Sequence, residues 1–208
     1  MQIIVMAKAP TPGRVKTRLC PPCTPEGAAV VAEAALVDTL TAALSCSASR
    51  VVLALDGEPG AWLPAGVDVV SQRGNGFDER LAAAWTDVGG PAVQIGMDTP
   101  QVTSALLDVA CTTLGQPGTD AVLGPADDGG WWAIGLRRGD PAVFRGVPMS
   151  QPDTGTRQFA RLGALGLRTA ILPGLRDVDT MVDAVAVAAL APDTRFAAAI
   201  RKCFAVSV

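Results

Sequence analysis

Lys8, Arg14, Lys16 and Arg18 stand close together in Lys8-Ala-Pro-Thr-Pro-Gly-Arg-Val-Lys-Thr-Arg-Leu19, and no acidic residue precedes Glu26. Pro10 and Pro12 stiffen this segment, and Gly13 lets its backbone approach a ligand. Fixed cations beside backbone N–H groups make a cradle for an anion such as a diphosphate. The alternative is a solvated basic turn. Carboxylates stand elsewhere in three groups. Asp98 follows the apolar run Val93-Gln-Ile-Gly-Met, Asp177 and Asp179 lie in Arg176-Asp-Val-Asp-Thr180, and Asp127 and Asp128 precede Gly129 and Gly130. Asp98, Asp177 and Asp179 suit a hard divalent cation that bridges phosphate oxygens, because residues two apart in an extended loop point the same way. Asp127 or Asp128 suits an acceptor hydroxyl or a general base. Helix capping at Asp98 and at Asp179 or Thr180, and an Asp-Gly turn at 127–130, are the structural alternatives.

Other chemistries are excluded by composition. The chain has no His and no Tyr, which removes Ser-His-Asp and Cys-His catalysis and every His-bearing metal site. Gly13-Arg-Val-Lys-Thr17 lacks the glycine spacing of a Walker A loop. A net charge of −3 gives no support to nucleic-acid binding, whereas a basic patch in an acidic chain suits a small anion. The five cysteines are an odd number, which argues against a disulfide framework and fits a reducing, cytoplasmic setting. Cys20-Pro-Pro-Cys23 has the spacing of a redox or zinc site, but no second pair completes a zinc set; the plainer reading is two small side chains in a Pro-rich loop.

These residues must be positioned by the elements around them. Of the 208 residues 49% are apolar and 18% charged, enough for a full core without staples. Short β-branched runs alternate with Ala- and Leu-rich stretches, the pattern of βαβ units around a mostly parallel sheet flanked by helices. The spacing predicts strands at Ile3–Met6, Val51–Leu55, Val67–Ser71, Ala92–Ile95, Ala121–Leu123, Trp132–Leu136 and Thr169–Leu172. Helices are expected at about 25–45, 78–88, 101–115, 155–165, 180–191 and 194–204, the first capped by Thr24 with Pro25 at its first position, and another opened by Pro100. No composition break divides the chain, so 1–208 reads as a single α/β domain. The first strand is too short for a signal peptide, and no stretch is expected to span a membrane. In such a sheet the ligand sits beyond the carboxyl ends of the strands, where all the clusters above fall.

Taken in order, Lys-Ala-Pro-x-Pro-Gly-x-Val-Lys-Thr-Arg-Leu, Gly-x-Asp-x-Pro, Gly-Pro-x-x-Asp-Gly-Gly and Asp-Val-Asp-Thr resemble the bacterial glycosyltransferase-like family of the nucleotide-diphospho-sugar transferase superfamily. Some of its members are named as arsenosugar-biosynthesis glycosyltransferases, and the superfamily also holds cytidylyltransferases and the guanylyltransferases of coenzyme F420 synthesis. The resemblance covers about residues 3–190. It implies the GT-A fold, a Rossmann-like domain that binds a nucleotide at its first strand and Mg2+ or Mn2+ through acidic residues. On that basis Lys8, Gly13, Arg14, Lys16 and Arg18 are expected at the phosphates, and Asp98, Asp177 and Asp179 at the metal. Asp127, Asp128, Gly129, Gly130 and Trp131 are expected at the acceptor, with Asp98, Lys16 and Asp128 as the catalytic set. Two departures fall on the acceptor side. Pro148-Met-Ser-Gln151 stands where the family has an aromatic followed by small hydroxyl residues, and Trp131 replaces the usual Tyr after Asp-Gly-Gly.

Two reactions follow from this resemblance: sugar transfer from a nucleoside-diphosphate sugar to a small acceptor, or nucleotidyl transfer with release of pyrophosphate from an NTP. A nucleotide-binding protein without turnover is a third reading. Donor base, acceptor and oligomeric state are open.

Overall fold

The computed structural model describes residues 1–205. Seven strands, β1 (Gln2–Lys8), β2 (Arg50–Asp56), β3 (Val67–Ser71), β4 (Ala92–Gly96), β5 (Ala121–Pro125), β6 (Trp131–Leu136) and β7 (Thr169–Ile171), form one sheet. Their order is β3-β2-β1-β4-β6-β5-β7. All neighbours run parallel except β6, which is antiparallel to both β4 and β5. The chain leaves β1 toward β2 and β3, then returns to place β4 on the other side of β1. This reversal opens a crevice at the carboxyl ends of β1 and β4, the position at which open α/β sheets bind ligands.

Six helices complete the fold: α1 (Pro25–Ser45), α2 (Phe77–Val88), α3 (Ser104–Gly115), α4 (Thr154–Ala164), α5 (Met181–Leu190) and α6 (Arg195–Ala205). The central strand is apolar on both faces. Ile3 and Val5 pack with Leu36 and Leu107 on the α1/α3 side, while Ile4 and Met6 pack with Leu81, Trp85, Phe144 and Leu162 on the α2/α4 side. A third cluster joins α1 to α5 and α6 through Val31, Val187, Phe196 and Ile200.

Being covered from two sides, α1 has little polar surface. By length and composition it could cross a membrane, although no such stretch was expected from the sequence. In the fold 56% of its most apolar window is buried inside the protein, so its apolarity has an internal use.

Two expectations are corrected. The helix expected from residue 101 begins at Ser104: Val102 N–H donates to the Thr99 carbonyl in a turn around Pro100, and Thr103 supplies the cap by accepting from Leu106 N–H. Asp98 is therefore not a helix cap. The expected absence of disulfides also fails, because Cys23, just before α1, is bonded to Cys203 on α6, with Cα atoms 5.2 Å apart. The packing of α6 back across the start of α1 joins cysteines 180 residues apart, and Cys20, Cys46 and Cys111 are free thiols.

Candidate functional site

The basic segment after β1 folds as a turn, in which Arg14 N–H donates to the Thr11 carbonyl at 3.1 Å, and then enters a single 3-10 turn at Thr17–Leu19. Between the two, Lys16 adopts a left-handed backbone conformation (φ 48°, ψ 35°), unusual for a residue with a Cβ. This turns its side chain inward, where it is only 9% exposed. Lys16 Nζ forms an ion pair with Asp98 beyond β4 and donates to the carbonyl of Val178. Val178 N–H in turn donates to the Asp98 carbonyl at 2.8 Å. Three segments distant in sequence are thus tied together at the crevice.

Asp177 and Asp179 flank that junction differently. Asp179 is exposed and ion-paired with Arg18. Asp177 is half-buried, and its carboxyl is pushed up to about 6, first by burial, then by the nearby carboxylate of Asp128 and more weakly by that of Asp98. The carboxylates of Asp128 and Asp98 thus both act on Asp177. Among the described residues no group of three or more His, Cys, Asp or Glu side chains could hold a metal ion, so Asp98, Asp177 and Asp179 do not come together as the three-carboxylate set expected from the sequence. The donors are nonetheless hard oxygens, and a small divalent cation commonly takes one or two carboxylates and fills its remaining positions with water and phosphate oxygens. Asp98 and Asp177, both on the crevice wall, are the hard-oxygen donors such an ion would use, while Asp179 is held by Arg18.

The Asp-Gly-Gly turn between β5 and β6 separates its two acids. Asp127 points outward and pairs with Arg176 at 3.3 Å. Asp128 accepts from Gly130 N–H at 2.7 Å and faces the crevice. Gly129 has φ +88°, and a Cβ there would lie 1.9 Å from the Pro152 carbonyl oxygen; its own carbonyl accepts from Gly155 N–H at 2.8 Å. It seats the turn against the start of α4 and does not line the crevice. Thr180 caps α5 in a reciprocal capping box with Asp183, which leaves both Asp177 and Asp179 outside the helix.

Two adjoining chambers result, of about 430 and 600 Å3, and Asp98, Asp177, Asp179 and Arg18 line both. The larger chamber is walled by Lys8, Arg14 and Lys16. The smaller is walled by Asp128, Gly130 and Trp131. Gly13, Asp127 and Gly129 line neither. Residues that sequence reasoning missed also appear. Arg80, paired with Asp56 at 2.8 Å, adds a cation to the larger chamber, and nothing in its local sequence marks it. Gln94 and Thr99, both fully buried, line the smaller one. A lone polar residue within the apolar strand 92–96 was a legible signal for Gln94.

Residues 30–151 match the model of a family described as an uncharacterized protein conserved in bacteria, DUF2064. A crystal structure of a "putative nucleotide-diphospho-sugar transferase" from Desulfovibrio desulfuricans G20 is 27% identical, with TM-score 0.81 over 97% of each chain. Rv0371c of Mycobacterium tuberculosis H37Rv, solved in complex with manganese, is 25% identical, with TM-score 0.52 over 89% of this chain and 96% of that one. The 2-C-methyl-D-erythritol 4-phosphate cytidylyltransferase of Thermus thermophilus shares the fold at 17% identity, with TM-score 0.55 over 92% of this chain and all of its own. No curated protein matches the sequence. The expected architecture, an α/β domain of the GT-A type with a mostly parallel sheet, is thereby shown.

Proposed function

This chain belongs to the DUF2064 family, and we propose that it is a transferase that holds a nucleoside-diphosphate sugar by its diphosphate and passes the sugar to a small acceptor. The observation that carries this reading is the joining of Lys16 to both Asp98 and Val178, which puts the basic turn and the acidic strand end on one wall. In this reading Lys8, Arg14, Lys16 and Arg18 bind phosphate oxygens, and their preorganised charge favours the leaving diphosphate as its negative charge develops. Asp98 and Asp177 would hold Mg2+ or Mn2+, which supplies further neutralisation of that charge when bound. Asp128, lining the smaller chamber with one oxygen tied to Gly130 N–H, would take a proton from an acceptor hydroxyl. Relatives support the class of reaction: one is described as a "putative nucleotide-diphospho-sugar transferase", and another was crystallised with manganese.

Nucleotidyl transfer is the second reading, favoured by one feature. The larger chamber collects five cations, Lys8, Arg14, Lys16, Arg18 and Arg80, a number suited to a triphosphate. The two reactions leave different products. With Mn2+, release of UDP or GDP from a panel of nucleotide sugars supports sugar transfer, and pyrophosphate release from a panel of NTPs supports nucleotidyl transfer. Stabilisation by nucleotide and metal without either product indicates binding alone.

A further inference from the structure

We propose that the smaller chamber is a binding site for an uncharged, oxygen-bearing group, read by Gln94 and Trp131. The inference rests on the transferase reading above and names the chemical class of what is transferred or of what receives it.

Gln94 lies in the middle of β4 on the α2/α4 face of the sheet, with no exposed surface. A buried amide is costly unless its polar atoms are bonded. Its Oε1 accepts from the indole N–H of Trp85. Because an indole nitrogen can only donate, the amide orientation is settled: the oxygen faces Trp85, and the NH2 group is the part left over. That Nε2 is buried and has no partner in the protein. The indole nitrogen of Trp131 is likewise buried and unpartnered, and so is the hydroxyl of Thr99, itself 2% exposed. All three residues line the same chamber. Two of these groups are obligate donors, and the third can serve either way. Their complement is an oxygen that accepts: a hydroxyl, an ether or a carbonyl.

Charge narrows the class further. Asp98, Asp128, Asp177 and Asp179 line this chamber against a single cation, Arg18, which Asp179 already engages. The cations that could neutralise a phosphate stand in the neighbouring chamber. A phosphorylated or carboxylated group entering here would meet those carboxylates and two neutral donors, with no side-chain cation other than Arg18, so a neutral group is the better fit. One part of the remaining wall, formed by Met6, Leu81 and Met149, is apolar and suits the C–H face of a sugar ring or a similar small alcohol, while Ser150, Gln151 and Thr154 add polar groups elsewhere.

The group has two sources of the same chemistry, the sugar of the donor or a neutral acceptor. The test uses the full chain with Mn2+, titrated calorimetrically with UDP and GDP, with UDP-glucose and GDP-glucose, and with methyl α-glucoside and glucose 6-phosphate in the presence and absence of the nucleoside diphosphate. Trp131→Phe removes the indole N–H while keeping an aromatic ring beside Phe144. Gln94→Met removes the amide, but it also strips Trp85 of its partner, so Trp131→Phe carries the test if that variant fails to fold. We expect Trp131→Phe to leave nucleoside-diphosphate affinity unchanged and to weaken the neutral probe roughly tenfold, as for loss of one buried hydrogen bond. A loss confined to the nucleotide sugar identifies the donor's sugar as occupant, and a loss confined to methyl glucoside identifies the acceptor. Failure of wild type to bind either neutral probe overturns the inference. So does unchanged binding of both in every folded variant, or tighter binding of glucose 6-phosphate than of methyl glucoside. Absence of nucleoside-diphosphate binding contradicts the transferase reading alone, and the neutral probe without nucleotide then decides the chamber.

Discussion

Lys16 and Asp98, 82 residues apart in the chain, are joined by an ion pair across the crevice where β1 and β4 end. The contact is stitched in place by Val178, whose carbonyl accepts from Lys16 and whose N–H donates to the Asp98 carbonyl. Lys16 holds a left-handed backbone conformation to reach this position, a cost of about 1–2 kcal/mol that the surrounding contacts must offset. Such strain, at the residue that joins three segments of the crevice, fits the preorganised anion site proposed above.

Removing the cation separates the roles of the two chambers. Lys16→Met is expected to weaken nucleoside-diphosphate binding by roughly tenfold to a hundredfold, the range for a charge-assisted hydrogen bond. Preference among acceptors should stay the same. Calorimetry and acceptor competition measure the two effects, and a change in acceptor preference with unchanged donor affinity would move the basic turn to the acceptor side.

Gly129 supports the site from behind. With φ +88° and only 1.9 Å between an added Cβ and the Pro152 oxygen, Gly129→Ala should lower stability by about 2 kcal/mol or more in urea unfolding. Asp127→Ala, at an exposed ion pair in the same turn, should change stability by less than about 1 kcal/mol. Equal effects of the two would remove the steric argument.

Much of this arrangement was legible in the sequence, and the gaps have physical causes. Thr24-Pro25 marks the start of α1 because a cap and a proline act locally, and Thr24 does accept from Gly27 N–H. Strand ends could be read because apolar runs stop where Asp98 and the basic segment begin. The start of α3 was misplaced because Pro100 sits in a turn held by Thr99 and Val102, a tertiary choice between two proline roles. The Cys23–Cys203 bond depends on how α6 returns to α1, and spacing along the chain carries no trace of that. The role of Arg80 was hidden for the same reason, since only folding brings it beside the basic turn.

The Cys23–Cys203 bond has a direct readout. Reduction should lower unfolding stability by about 2–4 kcal/mol, since a long loop is released. Burial pushes the Cys111 thiol up to about 11, so at pH 8 it should resist alkylation in the folded chain and react once urea unfolds it. Mass spectrometry after iodoacetamide treatment checks this, and rapid labelling of folded Cys111 would contradict its burial.

Acid stability should depend on Asp120. Hydrogen bonds from the Arg168 side chain and backbone hold its carboxyl at about 2, below the ordinary carboxylate value. A carboxyl depressed in the folded state contributes stability that is full above the unfolded value near 4 and is lost as pH falls toward 2. Wild type should therefore lose more of its melting temperature between pH 5 and pH 2 than Asp120→Asn does. Parallel melting curves would show that the pair contributes nothing.

The central claim is that cations near the first strand and the aspartate beyond β4 together hold a diphosphate through a divalent ion. Calorimetric titration of a nucleoside diphosphate into wild type and Asp98→Ala, each with Mn2+ and with EDTA, tests it most directly. We expect metal-enhanced affinity in wild type and loss of that enhancement in the variant, with residual binding by the basic turn in both. Equal Mn2+-dependent affinity in Asp98→Ala would contradict it.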